Sequence, residues 1–346
     1  MDHWSSQSSV ARWHGIKLYH LILSILLIIT LFFGYAWQYV CRAPLLVPES
    51  GHELQVIPGT SVRQLINNLH KLGFLKHPLL LRGYLMLSGH NGTIKAGEYK
   101  IAAGMTAKEL LNNIVNGLVV QYSFTVVEGW QTAQLISALQ QHPKIKVTLK
   151  TSNMSEIIRQ LKIPLANIEG VFLPDTYFFE AGTTDVDFLR RAFLAMEQKL
   201  QQAWANRAAN SVLSNPYQAL ILASIIEKET GLKSEYVQVA GVYTRRLAKR
   251  MKLQADPTVV YAYKNQLKGP LLRKHLKIDS PYNTYKNYGL PPTPIALPSA
   301  AAIDAALHPA PGDSLYFVAT GTGGHVFSKS LIEHNIAVKN FYNGKK

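Results

Sequence analysis

From Leu18 to Val40 the chain runs 23 residues without a formal charge, and no other segment constrains its possible folds so strongly. As a helix this stretch is about 34 Å long, enough to cross a hydrocarbon core of ~30 Å with some tilt. Trp37 and Tyr39 fall where an interfacial aromatic belt belongs. Arg12 and Lys17 precede the span, so the positive-inside rule keeps residues 1–17 in the cytoplasm, a bias that Arg42 on the far side weakens. A cleaved signal peptide fits poorly, because the apolar run exceeds the usual 7–15 residues and no small-x-small site follows. Lipid attachment at Cys41 fits poorly too, with bulky Tyr39 and Val40 before it. The expectation is a single-pass membrane protein, N-terminus cytoplasmic, with everything after residue 42 outside the cytoplasm.

That placement decides what the composition means. The formal net charge is +15, from 36 basic and 21 acidic residues, which favours a polyanionic neighbour. Outside the cytoplasm such neighbours are anionic lipid and cell-wall polymer. Nucleic acid is not an expected partner, and no compact Lys/Arg run with interleaved aromatics tracks a nucleic-acid backbone. One cysteine excludes an intramolecular disulfide framework and any Cys-cluster metal site. The twelve histidines are scattered without His-x-His or His-x-x-x-His spacing, and neither a Walker loop nor a Gly-x-Ser-x-Gly elbow occurs. No metal and no organic cofactor is expected.

After a linker over residues 41–52, a weak repeat appears. Pro58-Gly59-Thr60-Ser61 leading to Asn67-Asn68 is echoed by Ala103-Gly104-Met105-Thr106 leading to Asn112-Asn113, with a partial third copy at Thr132-Ala133-Gln134-Leu135. Each copy sets Ser or Thr before an amphipathic helix as a cap, and each follows a β-rich stretch: 54–57, 97–101 and 122–127. Tandem strand–turn–helix units of this size suit a binding module.

From Phe188 the pattern is helical, with Leu189, Phe193, Met196 and Leu200 on one face. A second helix begins at Pro216, capped by Asn215 or Ser214. In it Leu222, Ile225, Ile226 and Glu229 share a face, so Glu229 continues the buried stripe in the last turn before Gly231. Burial and the helix C-terminus both raise the pKa of a carboxyl there, as a general acid near neutral pH requires. Glu227 points the other way on the wheel and is expected to be solvated. Downstream, Pro291-Pro292-Thr293-Pro294 through Pro298 must be a rigid loop, and Gly321-Thr322-Gly323-Gly324 reads as a hairpin turn between two β-like runs. Tyr282, Asn283, Tyr285 and Gln254 are candidates to stack on and hydrogen-bond a sugar polymer, though Tyr and Asn are also ordinary turn residues. Asp256, followed by Pro257, reads as a helix-start residue.

Several long motifs together resemble the endolytic murein transglycosylases, the MltG or YceG-like family. They are Ala223-Ser224-Ile225-Ile226-Glu227-Lys228-Glu229-Thr230, Met251 to Tyr261, Tyr282-Asn283-Thr284-Tyr285, Gly289-Leu290-Pro291-Pro292, Glu169-Gly170 with Pro174-Asp175-Thr176-Tyr177, and Gly323-Gly324-His325-Val326-Phe327. They stand in the family's order over residues 45–345. One departure is Thr244-Arg245-Arg246-Leu247, where Arg245 replaces the family's usual Asn and puts a hydrogen bond near the cleft in doubt. The resemblance implies an α+β chain: a transmembrane helix at 18–40, a LysM-like module at 53–120, and a lysozyme-related catalytic domain at 121–346. It implies cleavage of the β-1,4 bond between N-acetylmuramic acid and N-acetylglucosamine, closing a 1,6-anhydro ring. Glu229 would be the acid and then the base, with Asp256 or Asp175 tuning it and Gln254, Tyr282 and Asn283 touching the glycan; Glu227 is a further supporting candidate. Membrane-bound peptidoglycan synthases are implied partners. A glycan-binding scaffold and a muramidase that uses water are the alternatives.

Overall fold

The computed structural model describes residues 7–87, 94–150, 153–263, 266–267, 269–321 and 323–343. Thr322 of the hairpin turn, and the side chains of Arg12 and Lys17 on which the expected orientation rests, lie outside the described residues. The chain divides into two compact units, the first ending at Gln121 and the second beginning at Tyr122.

In the first unit, helix α1 (Gln7–Arg42) includes the apolar stretch Tyr19–Arg42, 24 residues long. Its last turns join a small core built from β1 (His52–Val56), α2 (Val62–Lys71), α3 (Pro78–Leu87), β2 (Gly97–Ile101) and α4 (Ala107–Asn116). Strands β1 and β2 pair antiparallel, His52 opposite Ile101 and Val56 opposite Gly97. Leu54, Val56, Tyr99 and Ile101 alternate inward from the two strands. Ser61 caps α2 and Thr106 caps α4 through matching boxes, Ser61 with Gln64 and Thr106 with Glu109. The repeat therefore folds as two halves around one sheet. Its third copy differs: Thr132 lies inside its helix, Gln131 takes the cap position, and the preceding strand belongs to the other unit. The Thr132 hydroxyl donates instead to the Ile168 carbonyl.

The second unit pairs β3 (Gln121–Thr125) with β4 (Thr176–Glu180) and packs α5 (Thr132–Gln140), α6 (Met154–Leu161) and α7 (Asp185–Ala205) around α8 (Pro216–Glu229). Then follow α9 (Tyr236–Ala248), α10 (Asp256–Tyr263), α11 (Ala300–Leu307), a hairpin of β5 (Tyr316–Ala319) and β6 (His325–Ser328), and α12 (Leu331–Asn343). Asn215 caps α8 by accepting from Gln218 N at 2.9 Å, with Pro216 at the first position. Every residue from Ala219 to Ile226 is buried, because α7, α9, α10 and α11 all contact α8. A helix apolar on all sides belongs in a core, and each buried Leu or Ile contributes about 1.5–3 kcal/mol.

The segment from Pro291 to Ser299 is a loop, and almost all of it is buried against α8. Prolines at 291, 292, 294 and 298 have no N–H to satisfy. Of the remaining donors, Ile295 N reaches Ser224 Oγ at 3.0 Å, Leu297 N reaches Trp130 O at 2.7 Å, and Ser299 N reaches Glu227 Oε2 at 2.9 Å. Gly170, at φ +78°, lets this loop approach: an added Cβ would stand 2.3 Å from Pro294 Cβ and 2.9 Å from Ala296 O. Gly170→Ala is expected to cost at least about 2 kcal/mol, from left-handed strain plus overpacking. Gly182→Ala, at φ +85° but with nothing within 4 Å, carries only the strain. A denaturant titration of both variants in detergent should show the larger midpoint shift at Gly170.

Candidate active site

Helix α8 ends at Glu229, and Thr230 leaves it in extended geometry (φ −139°). Gly231 lies beyond the end and not in a left-handed cap. The Glu229 carboxyl is inside the fold: its Oε2 is buried and has no hydrogen-bond partner. Asp185, also buried, shows the contrast. Its two oxygens accept from Thr148 N, Thr148 Oγ1 and Leu149 N, which is how a structural carboxylate is made tolerable in a core. Glu229 lacks such donors at Oε2. Burial is the dominant influence on it; a hydrogen bond from the facing Tyr243 lowers its pKa, Asp256 raises it, and Arg246 lowers it. The balance pushes the carboxyl up to about 8, so at neutral pH it is a neutral acid.

Tyr243 and Arg246 stand three residues apart on α9 and therefore share a face. Burial first, and then the neighbouring Glu229 carboxyl, keep the Tyr243 phenol protonated. The Arg246 guanidinium is fixed by Leu315 O at 2.7 Å, Leu253 O at 2.7 Å and Gln254 Oε1 at 3.3 Å, and lies 5.1 Å from the Tyr316 ring centre. Such a cation cannot relax away from the acid it faces. Neither residue stands out in the sequence: they are 14 and 17 positions from Glu229, and only the helix-to-helix packing unites them.

Glu229 and Asp256 line one cavity of about 470 Å³, with Gln131, Lys228, Pro257 and Tyr261. Asp256 opens α10 and accepts from Tyr285 Oη at 2.6 Å. Behind the wall, Glu169 accepts from Thr132 N at 2.8 Å and Tyr261 Oη at 3.3 Å, and burial raises its carboxyl against these bonds. Gln254 is exposed and held at φ +53°, a conformation a non-glycine residue adopts at a cost.

On the other side of the helix end a second cavity, about 550 Å³, is lined by Asp175, Thr176, Glu227, Thr230, Lys233 and Tyr236. Asp175 is thus apart from Glu229, and of the two aspartates only Asp256 acts on it. Glu227 is half-buried and held by donors, not freely solvated as its place on the wheel suggests: Ser299 N, Ser299 Oγ (2.6 Å) and Tyr236 Oη (3.0 Å) all donate to it. A helical wheel assumes one wet side, whereas α8 is packed on all sides from Ala219 to Ile226 and Glu227 is bonded by the elements that cover it. Asn283 is corrected likewise. It is fully buried, its amide donates to Leu276 O and Ile278 O, and its Oδ1 accepts from Tyr285 N, so it orders the loop and cannot touch a glycan. Tyr282 is half-buried, bonded to Thr293 Oγ1 at 2.9 Å and 4.9 Å from the Tyr261 ring. Arg245 points to Ala310 O and Ser314 O, so the departure at this position does not reach the cavity. Thr230 Oγ1 donates to Glu235, which also takes His325 N at 2.8 Å and His325 Nδ1 at 2.7 Å. This ties the hairpin to the end of α8. Among the described residues no group of three or more His, Cys, Asp or Glu could hold a metal.

A model of the YceG-like family matches residues 54–340. An endolytic murein transglycosylase of Bacillus subtilis is 32% identical over 84% of this chain and 85% of its own length. Another, from Streptococcus pneumoniae, is 27% identical over 91% of this chain and 63% of its own length. The crystal structure of a YceG-like protein from Listeria monocytogenes superposes with a TM-score of 0.51 at 27% identity, covering 84% of this chain and 99% of that one.

The raised Glu229 carboxyl has a consequence for stability. In the unfolded chain Glu229 ionises near 4.5, while in the fold it keeps its proton to about 8. Its contribution is therefore fully present below pH ~4.5 and is lost as pH rises towards 8, at about 1.4 kcal/mol per unit of separation. Glu229→Gln removes that loss. Thermal unfolding should show the variant more stable than wild type at pH 8, with the difference closing towards pH 5.

Proposed function

The chain belongs to the YceG-like family, and from that premise we propose that it is a membrane-anchored endolytic lytic transglycosylase of peptidoglycan. The observation that carries this reading is the Glu229 carboxyl: neutral at working pH, with Oε2 unpartnered, beside a cavity large enough for a sugar unit. A general acid needs a proton retained near neutral pH and an oxygen free to meet the substrate.

In the proposed reaction a glycan strand lies along the cavity with a muramyl glycosidic oxygen at Glu229. Glu229 gives its proton to that oxygen as the C1–O4 bond breaks and oxocarbenium character develops on the muramyl ring. The carboxylate left behind then takes the proton from the muramyl O6 hydroxyl, whose oxygen closes on C1 to form the 1,6-anhydro ring. Glu229 ends protonated, and no water is consumed. Arg246 and Tyr243 stabilise the transient carboxylate, since both favour its charged form. Asp256, whose charge disfavours that form, keeps the resting acid protonated. Asp256, Gln254 and Tyr282 are the glycan contacts; the second cavity, with Asp175, is available to the strand on the other side of the cleavage point.

The stretch Tyr19–Arg42 serves as a single-pass anchor, with the N-terminus cytoplasmic and the remainder in the periplasm. The unit around β1 and β2 serves as a LysM-like glycan-binding module and the second unit as a lysozyme-related catalytic domain. Trimming or terminating nascent strands beside membrane-bound synthases suits such an arrangement.

Mass spectrometry of peptidoglycan digested by the full chain in detergent tests this directly. Anhydromuramyl ends are expected from the wild type, with Glu229→Gln at least about a hundredfold slower. Reducing ends would instead indicate a muramidase, and no products from either protein a scaffold. The pH profile adds a sign: cleavage should fall as pH rises through about 8, where Glu229 loses its proton. Asp256→Asn should move that limb to lower pH, because it removes a charge that holds the proton on.

A further inference from the structure

Helix α3 (Pro78–Leu87, PLLLRGYLML) has the composition of a helix with no solvent side. Leu81 and Leu85 enter the core of the first unit, and Arg82, its one charged residue, is turned back to Asn67 Oδ1 at 3.1 Å. Two apolar side chains are left uncovered, Leu79 at 74% exposed and Met86 at 81%, while Pro78, Leu80, Gly83 and Tyr84 are half-buried. A ten-residue helix of this kind is too short to span a bilayer and too apolar to face water.

What lies beside it decides the matter. Phe32, Phe33 and Trp37 of α1 and Leu79, Leu80 and Gly83 of α3 line a single apolar crevice of about 240 Å³, and the Trp37 and Tyr84 rings stand 5.8 Å apart. At 1.5 Å per residue, Trp37 lies about 8 Å and Phe32 about 15 Å along α1 from Arg42. With Arg42 among the headgroups, Phe32 and Phe33 are within the hydrocarbon, since the headgroup region is only about 5–8 Å deep. A helix packed on those residues shares their depth.

The entry to α3 is built for a headgroup layer. The Tyr39 hydroxyl accepts from Lys76 N at 3.1 Å and His77 N at 3.3 Å, and the Tyr39 and His77 rings are 5.1 Å apart. Lys108 Nζ stands 5.7 Å from the Trp37 ring centre. Arg42, Lys76 and Lys108 thus ring the level at which tyrosine and tryptophan anchor, and their charge matches anionic lipid.

We propose that α3 is a second membrane-embedded element, lying beside α1 in the outer leaflet with Leu79 and Met86 in lipid, and that it moors the first unit to the bilayer surface. The proposal rests on α1 being a membrane anchor. Two embedded elements fix the rotation of the unit about the α1 axis, which α1 alone does not.

The test uses the full chain, with Cys41→Ala, in vesicles containing anionic phospholipid. Nitroxides are placed one at a time at Leu31, Leu79, Met86 and Gln55, the last exposed on β1. Their collision rates with oxygen, which partitions into lipid, and with a water-soluble nickel chelate are then compared. The expected result is an oxygen-to-nickel ratio several-fold above that of Gln55 at Leu31, Leu79 and Met86. A high ratio at Leu31 with Leu79 and Met86 resembling Gln55 would overturn the proposal while leaving the anchor intact. Low collision rates with both agents at Leu79 and Met86 would mean that protein, such as a second copy, covers α3, and would also overturn it. A low ratio at Leu31 itself would remove the anchor and the proposal together.

Discussion

The burial of α8 on every side is the constraint on which the second unit depends. A helix enclosed by α7, α9, α10, α11 and the 291–299 loop can carry polar groups only where each finds a partner, or at its ends. Ser224 and Glu227 meet the first condition: both bond the backbone of the buried loop, at Ile295 N and Ser299 N. The loop is tolerable in a core because four prolines delete donors that it could not otherwise satisfy. Glu229 meets the second condition. It sits where the helix stops and the cavity begins, so its carboxyl is desolvated without being enclosed.

Three carboxylates of the second unit show how donors, more than depth, decide what a buried acid does. Asp185 is saturated by backbone and hydroxyl donors, and Glu227 is gripped by Ser299 and Tyr236. Both are cross-braces. Glu229 has one oxygen without any partner, and an unsatisfied buried group costs more than a made hydrogen bond contributes. Keeping the proton is the cheapest response, and it leaves a reactive acid where the others are inert. The cost is local and sits at the functional position, as stored unfavourable energy commonly does.

Much of this was legible in the sequence, and the failures have one physical origin. Local signals read well: the Ser61 and Thr106 caps, Pro216 starting α8, the hairpin flanking Gly321–Gly324, and the loop at Pro291–Pro298. Each depends on interactions within a few residues. What the sequence misplaces depends on distant partners. A helical wheel makes Glu227 solvated because it assumes one wet side. Asn283 reads as a ligand contact because its amide partners, the carbonyls of Leu276 and Ile278, are invisible as residue types. Tyr243 and Arg246 carried no signal, since their importance comes from α9 laying one face against the end of α8.

The adjacent arginines of α9 show how such long-range placement is achieved. Successive helical residues diverge by about 100°, so Arg245 and Arg246 leave the helix in different directions. Arg245 grips the carbonyls of Ala310 and Ser314. This close approach requires Gly241, one turn earlier, where a Cβ would lie 2.6 Å from Ala310 O and 2.8 Å from the Arg245 guanidinium. With the chain entering β5 held there, Arg246 reaches Leu315 O on one side and Leu253 O and Gln254 on the other. The second arginine therefore joins the hairpin to the strained Gln254 turn while directing its charge at Glu229. Arg245 acts on the scaffold that positions this charge. Its effect on the acid is transmitted through the seating of Arg246 and not through a bond of its own in the cavity.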